Sequence, residues 1–403
     1  MGRLGLWTYL DDSMSKKNKF NWANVNIGRS FFLIATLLGT FLGLPLFLWS
    51  YGSDLTLWVH LLLFVGFFIF SGLSVTFGYH RLFSHLSFKA RWPVKLTALI
   101  GGATAMEDSV LNWCSDHRRH HKHVDDDEDP YNITKGFFYA HMGWIMFRRN
   151  IEQSLDNVKD LQSDKLVMWQ HRWWAVIGVF VGFGLPTLIG FLVDGPLGGV
   201  AGLLIGGMAR LVAVQHCTFF INSLCHCLGK QPYSSDHTAR DSWIMALFTF
   251  GEGYHNYHHQ FQYDYRNGVK PWQFDPTKWM VWVLSKIGLV DAGSIKRVPK
   301  EKIMLAEIRQ KEKLLSRKLS VRAHPVCDKA QALFADAGEK LSTAAKTWER
   351  AKGEYGRALK KKLELTKEQL ADMRAHFDAS VAELRAAIQE WHTAHQQLSV
   401  QLA

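Results

Sequence analysis

Nine histidines fall in four short clusters: HRLFSH (His80, His85), HRRHH (His117, His120, His121), NSLCH (His226) and HNYHH (His255, His258, His259). One zinc ion takes about four protein ligands, so nine imidazoles exceed what one ion needs and suit two ions held by nitrogen. An all-nitrogen donor set suits iron, copper, nickel or zinc rather than magnesium or calcium, which prefer oxygen. In HRRHH and HNYHH the histidines stand at i, i+3 and i+4, positions that share one face of an α-helix. Asn222 and His226 are likewise four apart. His80 and His85 are five apart, roughly 140° around a helix of 3.6 residues per turn. That pair predicts a helix end or an unwound turn near Phe77-Gly78. Asp116, Asp241 and Glu252 lie close enough in sequence to accept the ring N–H that a metal-bound histidine leaves free. The acidic run from Asp125 to Asp129 fits the same role or a solvated loop. His60 and His216, alone in apolar runs, read as polar core residues.

Four apolar stretches, residues 30–49, 55–77, 173–193 and 197–222, each approach the ~20 residues of helix that cross a bilayer. Residues 94–110 are less apolar and predict an interfacial or re-entrant helix. The segment before the first stretch carries Lys16, Lys17 and Lys19 and shows no small-residue cleavage site, so the stretch reads as a retained span. Pairing the spans as two hairpins leaves turns at residues 51–54 and 194–196, neither with a lysine or arginine. The basic N-terminal segment, the 78–172 loop and everything after Ser223 then share the other side. The positive-inside rule makes that side cytoplasmic, and every histidine cluster lies on it. The expected fold class is therefore an all-α integral membrane protein: four transmembrane helices under a cytoplasmic histidine-rich helical cap. Three regions follow: a cytoplasmic segment 1–29, a membrane domain 30–294, and a basic tail 295–403.

The net charge of +11 is concentrated in that tail, where residues 295–403 hold 22 lysines and arginines against 14 acidic residues. Beside a membrane domain, such an excess favours anionic lipid or an acidic protein over nucleic acid as a partner. Five cysteines (Cys114, Cys217, Cys225, Cys227, Cys327) form neither a pair of CxxC motifs nor a disulfide pattern. Residues 296–321 predict a basic amphipathic helix, with Ile303, Leu305, Ile308, Leu314 and Leu315 on its apolar side, able to lie on a membrane surface. From Leu333 to Trp391 apolar residues recur at three- and four-residue steps, predicting a long helix or coiled coil that Gly338, Gly353 and Gly356 weaken. Self-association, donor docking and no specific role all stay open for it.

The strings GYHRLFSH, WCSDHRRHHKHVDDDEDPYN, NSLCH and GEGYHNYHH, with QFDPTKW at 273–279, resemble the membrane fatty acyl desaturases of the stearoyl-CoA (Δ9) type over roughly residues 30–282. The resemblance implies two irons on His80, His85, His117, His120, His121, His226, His255, His258 and His259, with Asn222 linked through a bound water. It further implies one iron on His80, His85, His117 and His121, the other on His120 and His226, and the last cluster shared between them. Arg148 and Arg149, after Gly143-Trp144, correspond to a basic pair that meets CoA phosphates in animal relatives; a membrane anchor explains them equally well. Ser115 stands where animal acyl-CoA enzymes carry arginine, which leaves acyl-lipid and acyl-carrier-protein substrates open.

The function implied is O2-dependent desaturation of a fatty acyl substrate, because removing hydrogen from unactivated methylenes needs a metal–oxygen oxidant. No HPGG haem motif and no flavin or nicotinamide fingerprint occurs in the sequence. A separate donor is therefore expected: cytochrome b5, ferredoxin or rubredoxin. The setting would be a bacterial inner membrane or the endoplasmic reticulum, with both termini cytoplasmic. A related membrane hydroxylase of lipids or alkanes uses similar clusters and stands as the alternative enzyme. A zinc-binding membrane receptor or scaffold is the non-enzymatic one.

Overall fold

The computed structural model describes residues 24–147, 154–321, 328–360 and 365–401, and the chain divides into two compact units. The first holds residues 1–231 and 235–297, the second residues 232–234 and 298–403. Lys16, Lys17, Lys19, Arg148 and Arg149 lie outside the described residues. Apart from one two-residue antiparallel ladder, Lys89–Ala90 against Val290–Asp291, the regular structure is helical.

In the first unit three helical stretches are long and apolar enough to cross a membrane: Ile27–Asp54, Leu57–Ser84 and Lys165–Cys227. The third has 63 residues, about three times the helix a bilayer needs. It breaks at Asp194 (φ −124°, ψ 21°) and Gly195 (φ 65°, ψ −149°), just before Pro196. Gly195 takes the left-handed backbone that a side chain would resist, and beyond it the helix returns along itself. The return is close: a Cβ on Gly190 would collide with the carbonyl oxygen of Gly198, and one on Gly202 with that of Pro186. The Asp194 carboxylate also accepts the Thr56 N–H (2.9 Å) and hydroxyl (2.7 Å) and faces His60 Nε2 at 3.0 Å. His60, fully buried, is thus a structural residue.

The break expected near Gly78 is absent. The stretch Leu57–Ser84 is α-helical to Leu73, and Ser74–Ser84 continues as a π-helix, in which each N–H reaches back five residues. The His85 N–H meets the His80 carbonyl at 3.0 Å, so residues five apart become neighbours on one face. All eleven residues of this segment are buried. Gly78 allows the helix Trp92–Ala103 to lie directly on it, since a Cβ there would stand 2.7 Å from that of Ala98. The interfacial helix expected over 94–110 ends at Ala103. Met106 and Asp108, both at positive φ, then turn the chain into the helix Val110–His123.

The second unit comprises the helices Lys300–Val321, Asp328–Lys360 and Lys367–Gln401. Leu305, Ile308, Leu341, Trp348, Leu384 and Trp391 form its core. Ala330, Ala337, Ala344, Ala351 and Ala358 are all buried at seven-residue steps, a repeat of small side chains along one helix face. The apolar side expected to face a membrane from residues 296–321 is instead mostly spent here: Ile303, Leu305, Ile308 and Leu315 are buried, while Leu314 is exposed. The indole N–H of Trp391 donates to Glu312 at 2.8 Å. Gly338 and Gly353 do not interrupt the helix that contains them.

The close packing at Gly78 yields a test. Gly78→Ala should cost about 1–3 kcal/mol of stability by overpacking. Gly28→Ala, with no neighbour within 4 Å, should cost far less. Unfolding followed in detergent would show equal losses if the helix contact were not limiting.

Candidate metal centre

Each histidine cluster is presented by a different local device. The π-helix carries His80, and His85 caps its end. The helix Val110–His123, whose first turn is capped by Ser109 Oγ accepting the Asn112 N–H, carries His117, His120 and His121. His226 closes the long helix ending at Cys227. The short helix His255–Gln260 carries the last three, and Asp241 Oδ1 accepts the Tyr257 N–H at its start (3.0 Å).

These devices bring all nine histidines together in two sets. His80, His85, His117, His121 and His258 form one; His120, His226, His255 and His259 form the other, with ligand atoms in each set within 4.8 Å of one another. In the first, Nε2 atoms meet in the pairs His80–His258 (3.0 Å), His85–His117 (2.8 Å) and His121–His258 (2.9 Å). In the second they meet in the pairs His120–His259 (3.2 Å), His226–His255 (3.1 Å) and His255–His259 (3.0 Å). The last cluster is divided between the sets: His258 belongs to one, His255 and His259 to the other.

The outer nitrogens identify which protons are where. His80 Nδ1 lies 2.9 Å from Glu252 Oε2, His120 Nδ1 2.8 Å from Asp129 Oδ1, and His226 Nδ1 2.7 Å from Thr238 Oγ1. Thr238 in turn donates to Asp125 at 2.6 Å. Asp129 accepts the His120 Nδ1–H, so the Nε2 of His120 carries a lone pair, and the Glu252 carboxylate lies at ion-pair distance behind His80. Nε2 atoms facing one another about 3 Å apart can share a proton between two neutral rings or turn both lone pairs to one cation. Burial, reinforced by neighbouring imidazoles, drives His85, His117, His121, His255, His258 and His259 well below the usual histidine range. Those rings are neutral, the form that binds metal. The donor set fits two borderline metal ions.

Of the three carboxylates expected behind the ligands, Glu252 stands behind His80. Asp241 serves the helix start instead, and Asp116 lines a cavity. Asp129 and Asp125, in the acidic run with two readings, stand behind His120 and His226. Thr238 and Arg81 were not singled out in the sequence. Arg81, fully buried, donates to Glu252 Oε1 from Nε (3.1 Å) and Nη2 (2.8 Å), and also to Asp275 and the Tyr265 carbonyl. An arginine directly after a long apolar run was the available signal. Burial alone would raise the Glu252 carboxyl, but Arg81 and His80 hold it below its ordinary value.

Three cavities reach the histidines. One, about 360 Å³, is lined by polar and charged residues that include His85, Arg118, His121 and Lys122. A second, about 230 Å³, has walls that include Phe32, Leu33, Trp144, Trp174 and Phe219, with Arg29 and Asp108 at 3.1 Å among its polar residues. The third, about 40 Å³, is bounded by Phe68, Val75, Ile221, Phe248 and Phe250 and touches His80 and His255. Trp113, His117, Thr218 and Asn222 line the second and third, so these two apolar cavities adjoin at the histidine sets. The Trp113 indole is stacked on His117 with centroids 4.8 Å apart. Ser115 lines none of the three. Its hydroxyl donates to the Ser154 carbonyl and to Asn157 Oδ1. His216 pairs with His141 at 2.9 Å, outside both histidine sets.

Over residues 55–284 the sequence matches the family described as fatty acid desaturase. The chain belongs to that family. It is 43% identical over 252 residues to a probable acyl-CoA desaturase of Schizosaccharomyces pombe, covering 62% of this chain and 52% of that protein. It is 38% identical over 281 residues to acyl-CoA desaturase 1 of Saccharomyces cerevisiae, covering 68% and 54%. Stearoyl-CoA desaturase of Homo sapiens is 32% identical over 309 residues, covering 74% and 80%. The chain thus spans about half the length of the two yeast relatives.

One wall residue sets a pH dependence. Burial pushes the Glu107 carboxyl up to about 7, against hydrogen bonds from Thr218 and Trp113 that pull it down. A carboxyl raised above its unfolded value near 4.5 makes stability fall as pH rises between those values. Glu107→Gln should therefore raise the thermal midpoint in detergent more at pH 8 than at pH 5. An equal change at both would show that the carboxyl is not desolvated.

Proposed function

We propose that this chain is a di-iron, O2-dependent fatty acyl desaturase that introduces a cis double bond, at Δ9, into a saturated acyl-CoA. The observation that carries the reading is the junction of two nitrogen-donor sets with apolar cavities on both sides of His117. The names of the yeast and human relatives support acyl-CoA as the carrier. Two bound irons would activate O2 and remove two hydrogens from adjacent methylenes, with two electrons from a donor and two protons completing its reduction to water.

The chain's own residues do the rest. Glu252, Asp129 and the Thr238–Asp125 pair hold His80, His120 and His226 with Nε2 turned inward. Asn222, one helical turn before His226 and on the wall of both apolar cavities, would reach the four-histidine position through a water. Trp113, Trp144 and Trp174 keep the acyl path dry and fix which carbons lie beside His117. Arg148 and Arg149, outside the described residues, would meet the CoA phosphates, for which a guanidinium pair is suited.

In this reading the break at Asp194–Gly195 divides the third apolar stretch into two spans. The chain then crosses the membrane four times, with the histidines and both termini on the cytoplasmic face of an inner membrane or the endoplasmic reticulum. Electrons would come from a separate carrier, a cytochrome b5, ferredoxin or rubredoxin, and the C-terminal helical unit would serve self-association or donor docking. A lipid hydroxylase remains the second reading because it would need a similar donor set; NSLCH and GEGYHNYHH favour desaturation.

Expression in a host lacking its desaturase, followed by chromatography of cellular fatty acids, should reveal new cis-monoenes and restore growth without supplied unsaturated fatty acid. Hydroxylated products in their place would establish the second reading. The purified chain should hold two irons. His120→Ala and His258→Ala, one from each set, should each lower iron content and reduce monoene formation at least a hundredfold. One zinc or no metal in the unaltered chain would support the receptor or scaffold instead.

A further inference from the structure

Charge behind the two metal positions is distributed unequally. Behind the five-histidine position, Glu252 is neutralised by Arg81, whose guanidinium also holds Asp275 (Nη1–Oδ2 3.1 Å, Nη2–Oδ1 3.0 Å). Lys278, with its ammonium on the Gly268 carbonyl (2.6 Å), lies near enough to feel the Asp275 charge. Glu252 is thus paired with a buried guanidinium, and the negative charge behind this position is partly cancelled. Behind the four-histidine position stand Asp129 and Asp125. Asp129, 1% exposed, accepts from His120 and from the backbone N–H groups of Asp125 and Tyr131. Asp125 accepts from Thr238 and lies 3.8 Å from His226 Nδ1. Among the described residues, no lysine or arginine forms an ion pair with either.

We propose that the two metal positions are electronically unequal: uncompensated Asp129 and Asp125 make the four-histidine ion the first to lose an electron, while Arg81 withholds that effect from the five-histidine ion. This rests on the di-iron reading above. Two negative charges held a few ångströms behind the ligands stabilise the higher-charged ion in a water-poor site. The lower ligand count works in the opposite direction, because one fewer imidazole donates less electron density. The buried charge prevails, since Coulomb attraction acts at nearly full strength where screening is weak. Asp129 and Arg81 are positioning residues that act through His120 and, by way of Glu252, through His80.

The test is a redox titration of the full chain loaded with isotopically enriched ferrous iron, using a mediated one-electron oxidant and read by Mössbauer and EPR spectroscopy. Two separate one-electron steps are expected, and the half-oxidised sample should hold one ferric and one ferrous ion. Asp129→Asn keeps an oxygen acceptor for His120 Nδ1–H but removes the charge. With two irons still bound, it should move the first step to higher potential and narrow the gap. Arg81→Lys, which keeps the charge, should leave the gap in place. Coincident steps in the unaltered chain, or an Asp129→Asn variant that binds two irons and shifts neither step or only the second, would overturn the proposal. If Asp129→Asn does not fold, Asp125→Asn carries the same expectation. An unaltered chain that binds fewer than two irons defeats the di-iron reading itself, an outcome distinct from equal potentials.

Discussion

The convergence of nine imidazoles, with ring nitrogens about 3 Å apart, is the constraint on which the first unit depends. The two nests draw together four segments of chain: the π-helix, the helix Val110–His123, the end of the long helix at Cys227 and the short helix His255–Gln260. With cations in place the same nests become cross-links among segments up to 178 positions apart in sequence. Binding energy for the ions is then also folding energy for the cap. The buried Arg81 cluster adds a metal-free cross-link beside it, joining the π-helix to Glu252 and Asp275.

The polar anchors elsewhere serve the same end by fixing the helices that present the rings. Asp194 joins the turn before Pro196 to Thr56 and His60, so the long helix and its neighbour cannot slide freely. Glycine and proline between residues 186 and 202 permit backbone contact across the reversal. Both features lie at the end of the apolar helices remote from the histidines in sequence. Displacement of these helices along their axes would be felt at His80 and His226.

Helical spacing made seven of the nine histidines readable, because His117/His120/His121 and His255/His258/His259 obey the ordinary α-helical period and His226 closes a long apolar run. His80 and His85 did not yield to it because the helix changes its own period there, and no residue type marks that change. The carboxylates were harder still. Asp116 and Glu252 both stand shortly before a histidine cluster in sequence, yet Glu252 lies behind the His80 ring while Asp116 lines a cavity, since the direction of a side chain depends on tertiary packing. Asp129 reaches His120 because the loop after His123 doubles back. The apolar face of residues 300–321 was legible as a face but not as to what covers it: tryptophans far along the chain, Trp348 and Trp391, complete that core.

The wide helix at Ser74–Ser84 has one more consequence. It places His80, and His85 at its end, in one histidine set, Arg81 on two carboxylates, and Tyr79, Leu82 and Phe83 in the apolar core. A helix engaged on every side has no idle face on which substitutions could accumulate unnoticed. Its identity is therefore written in consecutive letters, HRLFSH, where an ordinary amphipathic helix would spread its requirements over every third or fourth position. A string recognisable at a glance is the trace of a segment that touches something in every direction.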